Sequence, residues 1–333
     1  MNLPLSILDL APIGAGTTAV QALRESVELA RLAERRGYTR YWFAEHHGMP
    51  SIASSAPEIL IAHVAAATRT IRVGSGGIML QNHVPLKAAE VFHTLEALHP
   101  GRIDLGIGRA PGTDPTTSAA LRPFSPAQFA EQLAELVGLS RGDLPQDHPF
   151  RSVKVIPSGV PLPPIWLLGS SGASARLAGQ LGMGYGFASH FSPAPAAPAI
   201  DAYRAAFQPT GRFERPHAIL AVAVICAASA EHAERLAASY DLMWVRISRG
   251  EFLPIPTPEE ALAYPYTEAE RAIARRHREL LIVGTPDEVR TRIERAASEA
   301  AADEVIIAST VHEPAERRKG YDLLADAFGL PTA

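Results

Sequence analysis

The 333-residue sequence has one cysteine, Cys226. No disulfide can form within the chain, and a reducing compartment, the cytoplasm, is the expected location. Lysine is nearly missing: Lys87, Lys154 and Lys319 are the only three among 31 basic residues. No sign of charge dominates. Against those 31 stand 35 acidic residues, a net charge of −4 shared by both halves, so no basic surface for nucleic acid or anionic lipid is expected. Long apolar runs are also lacking; none approaches the ~18 residues that a membrane span requires. The start, Met1-Asn2-Leu3-Pro4, has neither a basic region before an apolar stretch nor a small-residue cleavage site. It is not expected to be a signal peptide.

What is present is a rhythm of short apolar runs alternating with helical patterns. A hydrophobic content of 47% excludes a disordered chain. Strands are expected at Leu5–Leu10, Tyr41–Ala44, Ile71–Leu80, Ile103–Ile107, Ile165–Leu168, Gly184–Ala188, Ala218–Cys226 and Glu304–Ala308. Each is followed by a helical pattern, including a long one at Ala230–Ser248. Capping-box spacings open helices at Thr18/Gln21, Thr257/Glu260, Thr267/Glu270 and Thr285/Glu288. Gly37 suits the left-handed position that ends the first helix. The runs are apolar almost throughout, as strands buried on both faces are. The fold class expected is α/β, a (β/α)8 TIM barrel with loop and helical insertions, as one domain over 1–333. A doubly wound open sheet is the alternative, but no Gly-x-Gly-x-x-Gly follows the first strand. The length beyond ~250 residues of a typical barrel falls mainly in 110–125, 140–164 and 249–280. These are expected to be loops around the mouth, with 110–125 and 249–280 as a lid.

Barrel enzymes build their sites at the C-terminal ends of strands, so the residues just past each apolar run are the candidates. Glu45-His46-His47 follows the second strand. It can serve acid/base chemistry, bind a metal, or be polar rim residues satisfied locally; no HxH or HxxxH spacing favours the metal. Gly74-Ser75-Gly76-Gly77 interrupts the third strand, which marks either a close approach by a ligand or a bend of the wall. Arg109 after the fourth strand is a candidate anion ligand. Gly169-Ser170-Ser171-Gly172-Ala173-Ser174 opens a helix after the fifth, where free N–H groups favour a phosphate or where serines simply cap. His190 ends the sixth strand and can line the pocket. Cys226 reads as core.

Together these motifs resemble the bacterial luciferase-like monooxygenases, in their single-subunit branch. The resemblance rests on Trp42-Phe43-Ala44-Glu45-His46-His47, Val73-Gly74-Ser75-Gly76-Gly77-Ile78-Met79-Leu80, Gly101-Arg102-Ile103-Asp104-Leu105-Gly106-Ile107-Gly108-Arg109 and Val283-Gly284-Thr285-Pro286-Asp287-Glu288-Val289. It implies a barrel that uses reduced FMN and O2 to oxidise a small organic substrate through a flavin C4a-(hydro)peroxide. It further implies a separate NAD(P)H:flavin reductase and a homodimer. His46 and Glu45 fall on the family's catalytic positions. Gly76-Gly77, with Ser75, falls on a non-prolyl cis peptide under the flavin ring. Arg109, Ser170, Ser171 and Ser174 fall on phosphate-binding positions, and Arg122 on another. His190 joins them as a cofactor-side candidate. Luciferase carries a reactive Cys before the phosphate Arg; here Gly108 stands there, which points to a general oxygenase or reductase instead of light emission. The alternatives are an F420-dependent oxidoreductase of the same superfamily, a metal-dependent hydrolase on the same barrel, and a non-catalytic flavin-binding protein.

Overall fold

The computed structural model describes residues 3–121, 126–209 and 212–332. Its elements, in chain order, are β1 (Leu5–Asp9), α1 (Ala19–Arg35), β2 (Arg40–Phe43), α2 (Pro57–Ala67), β3 (Arg72–Ser75), β4 (Ile78–Met79), α3 (Pro85–Leu98), β5 (Ile103–Gly108), α4 (Pro115–Leu121), α5 (Phe129–Arg141), β6 (Ile165–Gly169), α6 (Gly172–Gln180), β7 (Gly184–Ala188), α7 (Ala197–Ala206), β8 (Ala218–Cys226), α8 (Ala230–Ser248), α9 (Pro258–Ala263), α10 (Glu268–Arg278), β9 (Leu281–Gly284), α11 (Pro286–Ala300), β10 (Glu304–Ala308) and α12 (Pro314–Phe328). All pairings between these strands are parallel. The path β1-β2-β3-β5-β6-β7-β8 closes through β10, which pairs with both β8 and β1. This is the expected (β/α)8 TIM barrel.

The third barrel strand is broken as its glycines suggested. β3 and β4 both pair with β5. Gly74 stands opposite Asp104 and Ile78 opposite Ile107, so four steps on one strand face three on the other. One residue is left over at Ser75-Gly76-Gly77, a bulge in the wall. The Gly76–Gly77 peptide is cis.

The barrel interior is layered. At the N-terminal end, Arg40 bonds Asp104 at 2.8 Å and Glu304 at 2.7 and 2.8 Å, while Trp42 Nε1 donates to Asp104 and Ser6 to Glu304. Buried charges survive there because each is paired and hydrogen-bonded. Above that floor Leu8, Trp42, Trp166, Ile219 and Ile306 fill the barrel. The larger apolar cluster lies between the strands and the outer helices.

Two expectations about the extra chain need correction. The first concerns the crossover from β8 to β10. Its barrel helix is α11, which packs against β8, β10, α7 and α12. α8, read from sequence as that helix, instead clusters with Ile255 and Val311 near the C-terminal rim. Ile255 bridges to Gly14, just beyond β1. The rim insertion therefore begins at residue 227 and ends with β9, a strand the sequence reading did not find. β9 extends the sheet by pairing with the outer half of β8. Second, residues 142–164 join the end of α5 to the start of β6. A barrel helix runs back along its strand, so this segment lies at the N-terminal face and not at the mouth. Leu105 N bonds Pro164 O there. Among the described residues no helix is long and apolar enough to cross a membrane.

Candidate active site

Glu45 lies two residues past β2 and is fully buried. Its Oε1 accepts from His47 Nε2 at 2.9 Å and Asn82 Nδ2 at 2.8 Å. Its Oε2 accepts from Met79 N at 2.8 Å and His83 Nε2 at 2.9 Å. Burial alone would raise its pKa, but the donors His47, His83 and Asn82 hold it down at about 2. Glu45 is thus a fixed negative charge that ties the end of β2 to the end of β4. His83 is raised above its ordinary value because the Glu45 carboxylate outweighs burial. Asn82 and His83 were missed in the sequence. They stand 37 and 38 residues from Glu45 and become neighbours only through the strand register.

His46 is held differently. Its Nδ1 lies 3.0 Å from Gly112 O. A carbonyl oxygen accepts, so Nδ1 carries the proton and Nε2 the lone pair. Burial lowers its pKa against the pull of Gly112 and Glu45, which favours the neutral ring. The loop after β5 completes the clasp: His47 N also donates toward Gly112 O, and Thr113 Oγ1 donates to His47 O. Gly112 has φ +71°, and a side chain there would meet Glu45 O, so glycine is required by both conformation and space.

The glycine run in the wall has a local cause. A Cβ on Gly76 would meet Leu8 Cδ1 at 2.6 Å, and one on Gly77 would meet Gly106 O at 2.7 Å. The bend reading of these glycines therefore holds whatever else the strand faces. Ser75 is buried and its hydroxyl donates to Gly106 O at 2.8 Å. Its hydroxyl is thus engaged within the wall, and any part Ser75 plays toward a cofactor falls to its backbone.

On the same rim Gly108 pairs in register with both Met79 and Leu168. Arg109 and the Gly169–Ser171 turn therefore leave adjacent strand ends. Arg109 is exposed and makes no ion pair among the described residues. Ser170, Ser171 and Ser174 are half-buried. Ser174 Oγ donates to Ser171 O at 2.9 Å, and Ser171, the residue before α6, makes no side-chain cap. Arg176 was not anticipated: a Cβ on Gly172 would lie 3.5 Å from its Nη1. Its guanidinium folds back over the first turn of α6, one helical turn from its own position. His190, past β7, comes within reach of the charge of His46. Arg122 lies outside the described residues. Cys226 is buried, which pushes its thiol up to about 12 and leaves it inert.

Among the described residues no group of three or more His, Cys, Asp or Glu side chains has the arrangement of a metal site. A cavity of about 700 Å³ opens on the flank of the insertion between α8, α10 and β9. Arg278 there is paired with Asp241 and Glu234, and none of the mouth residues lines it.

Residues 3–304 match the family model described as luciferase-like monooxygenase. A protein from Escherichia coli (strain K12) called luciferase-like monooxygenase is 41% identical over 98% of this chain and 97% of its own. The N-acetyl-S-alkylcysteine monooxygenase of Bacillus subtilis is 38% identical over 97% of each chain. The crystal structure of apo-MsnO8 superposes with a TM-score of 0.89 at 39% identity, covering 99% of this chain and all of that one. The chain therefore belongs to the luciferase-like monooxygenase family.

Proposed function

We propose that this protein binds reduced FMN at the barrel mouth and uses it with O2 to oxidise a small organic molecule. The observation that carries the reading is the pairing of two unlike ends on one rim. One end is suited to an anion: exposed Arg109, the turn of Ser170 and Ser171, Ser174, and Arg176 folded over the start of α6. Helix N-termini and guanidinium groups favour phosphate. The other end holds the neutral His46, with the Gly76–Gly77 bulge between them in the strand order. The residues present therefore fit a flat ligand carrying a phosphate tail.

Bound FMN in its reduced form supplies two electrons and activates O2. The chain's own groups do the rest. Arg109 and the α6 turn anchor the phosphate. Glu45 fixes the β2 and β4 ends, so that the backbone beside Gly76–Gly77 does not shift. His46 Nε2 is the proton acceptor on the reacting side, because its Nδ1 is held by Gly112 O. The loop after β5 and the rim insertion exclude water, which suppresses unproductive side reactions. A separate reductase supplies the reduced flavin from NAD(P)H, the organic substrate is a small molecule, and the protein works in the cytoplasm.

Anaerobic titration of wild type and Arg109→Ala with reduced FMN and reduced riboflavin tests the reading. Loss of a charge-assisted contact should weaken FMN about 10- to 100-fold and leave riboflavin unchanged. Equal loss for both ligands would reject the phosphate role. Tighter binding of F420 than of FMN by the wild type would replace FMN with the deazaflavin.

A further inference from the structure

β2 and β7 stand on opposite sides of the closed ring, four strand positions apart in either direction. Side chains that leave their C-terminal ends face one another across the mouth. His46 leaves β2 and His190 leaves β7, close enough that a proton on His46 would repel one on His190. Their surroundings are unequal. His46 has its Nδ1 engaged by Gly112 O. His190 packs edge-on against Phe191, with ring centroids 4.7 Å apart. Its Nδ1 is buried and finds no hydrogen-bond partner among the described residues. Native structures leave few such atoms without a partner. At the mouth of a barrel a ligand atom can supply that partner.

We propose that His190 is a ligand-binding residue of the reacting centre, its Nδ1–H donating to an uncharged, carbonyl-type oxygen of the molecule held between it and His46. This rests on the flavin reading above. The oxygen is uncharged because both rings are neutral. Burial lowers the pKa of each, and His46 lowers His190 further, to about 4. The other groups acting on the pair are Glu45, already satisfied by four donors, and His47. Among the described residues the groups acting on the pair supply no further cation to match a carboxylate. The oxygen can belong to the flavin ring or to the organic substrate, and the test separates the two.

The full chain, with its histidines labelled with 15N, is followed by long-range 1H–15N correlation spectra during anaerobic addition of reduced FMN. Acetone or dimethyl sulfoxide is then added to the FMN-loaded protein. The His190 signals, assigned by their loss in His190→Phe, should move in one of the two steps. Movement with FMN assigns the oxygen to the flavin; movement only with the second probe assigns it to the organic substrate. His190→Phe, which keeps a ring and removes both nitrogens, should weaken the responsive probe about tenfold. His190→Asn, whose amide nitrogen overlays Nδ1, should bind it within about threefold of wild type. In His46→Asn the His190 ring should titrate at a higher pH than in wild type. FMN binding with His190 unmoved in both steps would overturn the inference alone. If reduced FMN changed neither the histidine spectrum nor its own absorbance, the flavin reading would fall, and this inference with it.

Discussion

Glu45 has the residue type of a general acid but not the surroundings of one. Four donors converge on it, and a carboxyl held at about 2 does not give up a proton near neutrality. Its contribution and that of His83 vary with pH in opposite senses. Glu45 lies below its ordinary 4.5 when folded, so its contribution is complete above 4.5 and is lost as pH falls toward about 2. His83 lies above its ordinary 6.5 when folded, so its contribution is complete below 6.5 and is lost as pH rises through the raised value. The tie between β2 and β4 is therefore strongest between those limits. In Glu45→Gln the amide must turn its NH2 toward two donors, whichever way it flips. Each buried group left unmatched costs about 1–3 kcal/mol, so a loss of about 2–5 kcal/mol is expected from urea unfolding, and the pKa of His83 should drop. An unchanged unfolding midpoint together with an unchanged His83 titration would show that the ties do not matter. His47 shares the carboxylate, yet its neighbour His46 is the ring whose free nitrogen is a base. Adjacent residues of one titratable run thus have separate tasks, a division that follows from Gly112 O and is not visible in Glu45-His46-His47 itself.

At the scale of elements, local chemistry was legible and partnership was not. Thr18 with Gln21, Thr267 with Glu270 and Thr285 with Glu288 form the capping boxes their spacing predicts. Thr257 caps with its side chain alone, because the Glu260 carboxylate turns to Arg246. Gly37 takes the left-handed conformation at the end of α1. All eight barrel strands coincide with apolar runs, since burial on both faces leaves little room for polar residues. The misplaced rim insertion has one cause. β9 has four residues between two helices, too few for periodicity to register. Without it α8, an amphipathic helix after a strand, cannot be told from a barrel helix. The real insertion is anchored where Ile255, 1% exposed, meets Gly14 and the cluster of Tyr240, Met243 and Val311. Truncation of a buried Ile costs ~2–5 kcal/mol. In Ile255→Ala the loss should fall on this anchor and leave the barrel intact. Tryptic cleavage at the exposed Arg249 should accelerate at least about tenfold, with the main thermal transition little changed. A cleavage rate equal to wild type would mean that the rim insertion is held elsewhere.

For the molecule as a whole, the helical layer is not uniform. α11 and α12 alternate apolar and charged residues around the barrel, whereas α2, Pro-Glu-Ile-Leu-Ile-Ala-His-Val-Ala-Ala-Ala, is apolar nearly all round. A helix of that composition is buried on more than one side. Its inner side packs through Ile61, Val64 and Ala65. Its outer side carries Ile59, 65% exposed. Glu58 is the single acidic residue in the first turn of α2, and no basic residue closes it, so the face offers little charge for an unlike partner. A two-fold axis lets one apolar face cover its own copy, and we propose a homodimer that pairs this outer face of α2 with its copy. The rim of the barrel stays open in it, because α2 lies on the wall and not over the mouth. Ile59→Arg would set two like charges against each other across the interface near the axis, at a cost of several kcal/mol. Light scattering coupled to size exclusion should then report a dimer for wild type and a monomer for Ile59→Arg at micromolar concentration. FMN affinity should be unchanged in the variant, since no residue proposed to hold the flavin lies on α2. A wild type that is monomeric at all concentrations, or an Ile59→Arg protein that still elutes as a dimer, would remove this face as the interface.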